Sequence, residues 1–222
     1  MLAIYQHYSG KYYMRLGTAL HSENLEPLEV YRCLYNNPKN QLWVRPRDMF
    51  HEVLESGTPR FTPVGRVRRA LGRELEETAH FGFDAWGTGV ASGEYLSSFL
   101  AERDFVRGQW YLIENAEGEV CSVLNTLRFL PQLVGIASVA TKPEQREKGF
   151  ACLLIRAVME LLRVEDPAMQ FALFAEVSPS FFQQFGFREL PVDVQRFRPA
   201  VAMITGDEPV SDEVAAVFRE YF

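Results

Sequence analysis

The chain has 222 residues, 47% of them hydrophobic and 23% charged. Those proportions describe a globular protein with enough apolar surface for one or two packed domains. Its 23 basic and 29 acidic residues give a formal net charge of -6, which argues against a chain whose main task is coating DNA or RNA, though one basic face remains open. Cys33, Cys121 and Cys152 are too few and too scattered for a disulfide framework or a zinc knuckle, so buried reduced thiols and no metal site are expected. The opening MLAIYQHYSGKYY lacks a basic segment followed by a long apolar run, so no signal peptide is expected. Charges interrupt every apolar stretch before membrane-spanning length. A cytoplasmic chain with no membrane partner is the resulting expectation.

Residues 1–65 read as β. Short aromatic and β-branched runs (Ile4-Tyr5, Tyr12-Tyr13, Val30-Tyr31, Leu42-Trp43-Val44) alternate with turn chemistry at Ser9-Gly10, His21–Asn24 and Asn36–Pro38. The spacing suits a small meander or an SH3-like barrel. Arg47–Phe50 reads as a short turn and residues 51–55 as another strand. Gly57, Pro59 and Pro63 mark the exit. The charge shifts at this seam: residues 1–65 carry 7 basic and 6 acidic side chains, residues 66–222 carry 16 and 23. Arg66, Arg68, Arg69 and Arg73 make the seam itself basic, as a solvated helix start or an inter-domain contact would be.

Residues 66–222 alternate helical and strand patterns. Arg66–Thr78 has helix-forming composition, and Gly93–Arg103 is amphipathic. Gln109–Glu114 and Val120–Phe129 read as a hairpin, and Leu133–Thr141 as a buried strand. Phe150–Arg163 is a helix with Leu153, Leu154, Ala157, Val158, Leu161 and Leu162 on one face. Phe171–Val177 is a buried strand. Ser178-Pro179 opens a short helix to Phe185, closed by Gly186. Strands at Phe187–Leu190 and Arg196–Met203 follow, and the tail from Val210 docks as a helix or frays.

The chemistry concentrates in Val139-Ala140-Thr141-Lys142-Pro143-Glu144-Gln145-Arg146-Glu147-Lys148-Gly149-Phe150-Ala151. A buried strand ends, a polar loop follows and a long helix begins. The N–H groups of such a loop and first helical turn lack intrahelical partners. With the helix dipole they suit a pyrophosphate. Gly149 lets the backbone approach an anion closely. Arg146 and Lys148 can add charge there.

This segment resembles the acyl-CoA signature of the GCN5-related N-acetyltransferases (GNAT), Q/R-x-x-G-x-G/A, as Arg146, Gly149 and Ala151. Val139–Pro143 resembles the family's strand ending in V-x-P, with Thr141 in place of Val. Leu173–Val177 followed by SPSFFQQFGF resembles its next strand and the helix ending in L-G-F. The resemblance spans about residues 66–222. It implies an α/β (α+β) fold with a splayed mixed sheet flanked by helices, open between the 133–141 and 171–177 strands. It also implies acetyl-CoA as co-substrate and direct attack of an amine on the thioester. The implied cofactor-binding residues are Val139, Ala140, Thr141, Arg146, Glu147, Lys148, Gly149, Phe150, Ala151 and Ser178. Many relatives carry a Tyr as thiolate acid where this chain has Phe182, which has no proton to give. Glu176 is the candidate base; a structural acceptor or surface carboxylate is an equal reading. Ser138, His80, Tyr95 and Tyr111 offer polar groups with simpler structural or surface roles.

Residues 5–65 resemble a small bacterial domain of unknown function, through Y-x-H-Y-x-G at Tyr5–Gly10 and W-V-R-P-x-x-M-F at Trp43–Phe50. That resemblance implies a boundary near residue 65 and no mechanism. His7, His21 and His51 lack metal-ligand spacing. Tyr and Trp side chains left exposed beside Arg32, Arg45 and Arg47 would make a stacking groove for a peptide or single strand. Three readings follow: an N-acetyltransferase acting on a small-molecule or peptide amine, as a monomer or homodimer; a catalytically weak acyl-CoA-binding protein; and an acyltransferase delivered to a macromolecule by its N-terminal module.

Overall fold

The computed structural model describes all 222 residues. In chain order the strands are β1 (Leu2–His7), β2 (Tyr12–Leu20), β3 (Pro27–Cys33), β4 (Leu42–Pro46), β5 (Phe61–Arg69), β6 (Gln109–Asn115), β7 (Val120–Leu130), β8 (Leu133–Thr141), β9 (Gln170–Ala175), β10 (Phe187–Glu189) and β11 (Val201–Thr205). The helices are α1 (Arg47–His51), α2 (Gly72–Ala79), α3 (Phe83–Trp86), α4 (Ser92–Ala101), α5 (Arg103–Arg107), α6 (Phe150–Glu165), α7 (Pro179–Gln183) and α8 (Asp212–Val217). All eleven strands lie in one sheet, in the order β10-β11-β9-β8-β7-β6-β5-β1-β2-β3-β4. Every neighbouring pair is antiparallel except β8 and β9.

The strand β5 joins the two halves. It pairs with β1 from Leu2↔Val67 to His7↔Phe61 and with β6 from Gly65↔Asn115 to Arg69↔Tyr111. The helix expected from Arg66 therefore begins only at Gly72. Gly65 and Val67 are buried while Arg66 points outward, a period of two that the charged composition masks. Gly65 has to be a glycine, because a Cβ there would lie 2.0 Å from the Glu114 carbonyl oxygen. Arg68 bonds Glu74 at 2.7 and 2.8 Å and Glu114 at 2.9 Å, so this part of the basic seam is spent on intramolecular ion pairs.

The expected N-terminal barrel is not formed. β4 pairs only with β3, and β5 pairs with β1 and β6 rather than with β4, so the sheet does not close on itself. The open sheet instead buries one face with the rest of the chain. Ile4 and Met14 are fully buried in the same cluster as Leu154, Ile155 and Val158 of α6. Its other face holds Tyr31, Phe50 and Phe61, with Phe50 of α1 stacked on Phe61 at 4.0 Å. Residues 51–55 form no strand; Val53 makes one isolated bridge to Pro59.

The hairpin β6–β7, the strand β8, the long helix α6 and β9 lie close to their expected positions. β11 starts at Val201 rather than Arg196, beyond Pro199, which has no N–H to give a ladder. No helix is long and apolar enough to cross a membrane.

Candidate cofactor and acceptor site

The strands β8 and β9 are paired only from Leu133↔Gln170 to Gly135↔Ala172. β8 continues to Thr141 and β9 to Ala175 without pairing each other. The sheet thus opens into a gap lined by strand edges. A bulge re-aims β8 at this gap. Register jumps from Val123↔Ala140 to Asn125↔Ala137, so Ser138 and Val139 both face Leu124, and Ser138 adopts φ +48°. Ser122 fastens the far side, with its hydroxyl donating to the Ala140 carbonyl at 2.8 Å and lying 3.0 Å from the Thr141 hydroxyl.

The loop after β8 is held from below. Glu119 accepts from Lys142 at 2.7 Å and from the buried Gln145 at 2.8 Å. Lys142 holds the Glu119 carboxyl below its ordinary range. Arg146 donates to the Thr141 carbonyl at 3.1 Å, to the Phe81 carbonyl at 3.1 Å and to Asp84 at 2.5 and 2.8 Å. Its guanidinium is committed to bracing the loop against α3. It depresses the Asp84 carboxyl in doing so. Lys148 is exposed and bonds Gln145 at 3.1 Å.

The cradle itself is backbone. Glu147 and Gly149 adopt φ +63° and +85°, and α6 starts at Phe150 with no side chain capping it. Such alternating backbone turns N–H groups into a concave anion site. The N–H groups of Phe150, Ala151 and Cys152 open a 16-residue helix with no acidic residue in its first turn. No atom lies within 4 Å of where a Gly149 Cβ would be, so the approach is open.

Glu176 sits exposed just past β9. One carboxylate oxygen accepts from Trp86 Nε1 at 3.0 Å and the other from the Tyr221 hydroxyl at 2.5 Å. Burial, and then the adjacent Glu176 charge, push the Tyr221 phenol well above its usual range. Trp86 stacks on Phe99 with centroids 6.3 Å apart, and Tyr221 on Phe174 at 4.7 Å. Trp86 of α3 and Tyr221 of the C-terminal segment thus flank one exposed carboxylate.

The other sequence candidates have structural partners. Ser178 precedes α7 but bonds Ser180 at 2.8 Å and caps no backbone N–H. Phe182 is buried against Phe181 and Phe187. The Tyr95 hydroxyl donates to the Ala79 carbonyl at 3.2 Å, and Tyr111 is buried in the core. His80 is exposed, 3.4 Å from the Ser92 hydroxyl.

In the N-terminal sheet the three histidines stand apart. His7 lies 2.8 Å from the Ser9 hydroxyl, His21 accepts from the Glu23 N–H, and His51 lies 3.3 Å from Glu29. Glu29 is fully buried and pairs with Arg15 at 2.5 Å and Arg47 at 3.6 Å. No group of three or more His, Cys, Asp or Glu side chains converges as a metal site. Register puts Trp43 opposite Tyr31 and Arg32 opposite Leu42, so Trp43 and Arg32 face opposite sides of the sheet. Arg32 pairs with Glu160 of α6, which removes it from any stacking groove around Trp43.

Sequence reasoning missed Asp84, Trp86 and Tyr221, which reach their partners from 62, 90 and 45 positions away. No local pattern marks such contacts; a lone Trp or Tyr between helices looks like core.

Residues 3–63 match a family described as a protein of unknown function, DUF1653. No curated protein matches the chain. Among solved structures, one similar chain is a Lactobacillus plantarum protein assigned as an N-acetyltransferase, 12% identical, with a TM-score of 0.51 over 64% of this chain and 97% of that one. Another is Escherichia coli ElaA, 14% identical, with a TM-score of 0.50 over 64% of this chain and 99% of that one. The chain therefore joins a segment that matches DUF1653 to a fold shared with these two structures.

Proposed function

We propose that the chain transfers an acetyl group from acetyl-CoA to a primary amine of a small molecule or peptide. One observation carries the reading: β8 and β9 separate beside a helix whose first N–H groups have no partner. An extended pantetheine arm fits an open strand edge, and a pyrophosphate fits an uncapped helix start. In this reading the backbone of Val139–Thr141 bonds the arm and polarises the thioester carbonyl. Residues Arg146–Ala151 hold the pyrophosphate through backbone N–H groups, with Lys148 supplying charge and Ser178 at the opposite rim. Residues 1–65 and 66–222 are two units of sequence that share a sheet, as β5 allows.

The transfer needs little beyond alignment, a base and a polarised carbonyl. The amine nitrogen forms its bond to the acetyl carbon as the carbon–sulfur bond breaks. Glu176 takes the proton from the incoming ammonium, exchanging its bond with Trp86 or Tyr221 for one with the amine. The acylated nitrogen sheds its second proton to solvent, and the leaving thiolate takes its proton from solvent, because Phe182 has none. The aromatic walls around Glu176 favour an acceptor that presents its amine on an apolar stem.

Release of CoA thiol on a panel of primary amines tests this. Glu176→Gln should lower kcat by about 10²–10⁴-fold at neutral pH while leaving acetyl-CoA binding in place. Phe182 favours one alternative, an acyl-CoA-binding protein without turnover. Tight acetyl-CoA binding with no thiol released on any amine would select that alternative.

A further inference from the structure

A cleft of about 460 Å³ lies between the N-terminal sheet and the far half of α6. Arg32 and Gln41 line it from β3 and the β3–β4 connection. Arg156, Glu160 and Arg163 line it from α6, and Gln183 lines it from α7. Three arginines against one acid leave the lining at +2, in a chain whose net charge is -6. The volume is in the range of small-molecule sites, roughly 300–1,000 Å³. The α6 residues concerned lie roughly 10–21 Å along the helix from Gly149, at a rise of about 1.5 Å per residue. The cleft is therefore separate from the pyrophosphate cradle, and five of its thirteen lining residues come from the segment that matches DUF1653.

The single acid is already used twice. Glu160 accepts from Arg32 with one oxygen and from Arg163 at 2.9 Å with the other. Arg156 has no carboxylate partner at all. Its one side-chain hydrogen bond goes to the Gln184 carbonyl at 3.0 Å, and its guanidinium lies over the Phe185 ring at 4.9 Å. Arg163 lies over Phe171 at 5.3 Å. A guanidinium stacked by its face keeps its N–H edge for acceptors in its own plane. Like charges gathered in a half-buried cleft are stabilised when a counter-anion enters.

We infer that this cleft is a second anion site, taking a small molecule that carries a phosphate monoester. A phosphate dianion neutralises the +2 lining, and its oxygens suit the edge of Arg156, with Gln183 also lining the cleft. A molecule seated there touches both sequence units, so its binding energy adds to the contact between them. The inference does not depend on the acyltransferase reading.

The test is NMR titration of the full chain with ¹⁵N-labelled arginine side chains and backbone, at constant ionic strength. Inorganic phosphate and phenyl phosphate are the probes, with citrate as a carboxylate comparison. The Arg156 Nε–H resonance should shift saturably with both phosphates, together with those of Arg32 and Arg163. Arg156→Gln should weaken phosphate binding at the cleft about tenfold, the loss expected for one charge-assisted contact. Gln183→Glu, an exposed change that spares the fold, should weaken it too. Arg107→Gln, on α5, should not. The Gly149 backbone amide reports phosphate at the cradle separately and should keep its own binding constant in the Arg156 variant. Arg156 shifts that follow chloride as well as phosphate would overturn the inference, and so would equal losses in the Arg156 and Arg107 variants. Saturation by citrate alone would overturn the phosphate assignment.

Discussion

The open end of β8–β9 and the N-terminal sheet differ in what they leave unpaired. At the first, two strand edges separate after Gly135↔Ala172 and a helix begins with no side-chain cap. At the second, the polar groups have internal partners: Glu29 is buried with Arg15, Arg47 and His51, and the Tyr13 and Tyr35 hydroxyls lie 2.8 Å apart. Its large aromatic rings mostly pack on one another around Phe50 and Phe61. Chemistry can be read from the first region because unsatisfied backbone has to be answered by something. In the second region these buried polar side chains are satisfied by one another, although β4 keeps one unpaired edge. Conspicuous residues in a motif are thus poor evidence of a site when their bonds are already made.

This contrast can be broken or sharpened by substitution. The largest effect is expected where the two regions share a core. Ile4→Ala removes a fully buried side chain that packs in the cluster containing α6, and should cost about 3 kcal/mol. Urea unfolding followed by both fluorescence and circular dichroism should still show one transition. Two separated transitions would mean that the halves are independent.

Next comes the cradle. Gly149→Val places a β-branched residue at φ +85° and should weaken acetyl-CoA binding about 100-fold, the equivalent of two lost backbone hydrogen bonds to a charged group. Thermal stability should fall by only about 1–3 kcal/mol. Unchanged affinity in a folded variant would remove the cradle from the account.

At the joint, Arg68→Gln strands Glu74 and Glu114 and should cost about 2 kcal/mol, read from the urea midpoint. The smallest effect is its pH dependence. Arg68 holds the Glu74 carboxyl at about 2, below its ordinary 4.5. A depressed carboxyl stabilises the fold above its ordinary value, and that contribution is lost as pH falls through the folded value. The stability gap between wild type and Arg68→Gln should therefore be full above pH 4.5 and shrink toward pH 2.

Much of the second half was legible because its pattern is local. Hairpin spacing, the apolar face of α6 and the run from Val139 to Ala151 all lie within short windows. The helix expected at Arg66–Arg69 failed because the charged side chains of a strand that joins two others look like a solvated helix. The barrel failed for a related reason: no pattern in residues 1–65 shows that β6 will take the free edge of β5. At the site, the turn and glycine were legible. The commitment of Arg146 to Asp84, and of Glu176 to Trp86 and Tyr221, depends on segments far apart in sequence.

The central claim is that the gap at β8–β9 and the uncapped start of α6 form one acyl-CoA site. Calorimetric titration of acetyl-CoA into the purified full chain tests it most directly, with CoA and dephospho-CoA as comparisons. The account predicts saturable one-to-one binding that Gly149→Val weakens and Arg156→Gln leaves unchanged. A folded chain that takes up no acetyl-CoA would contradict it.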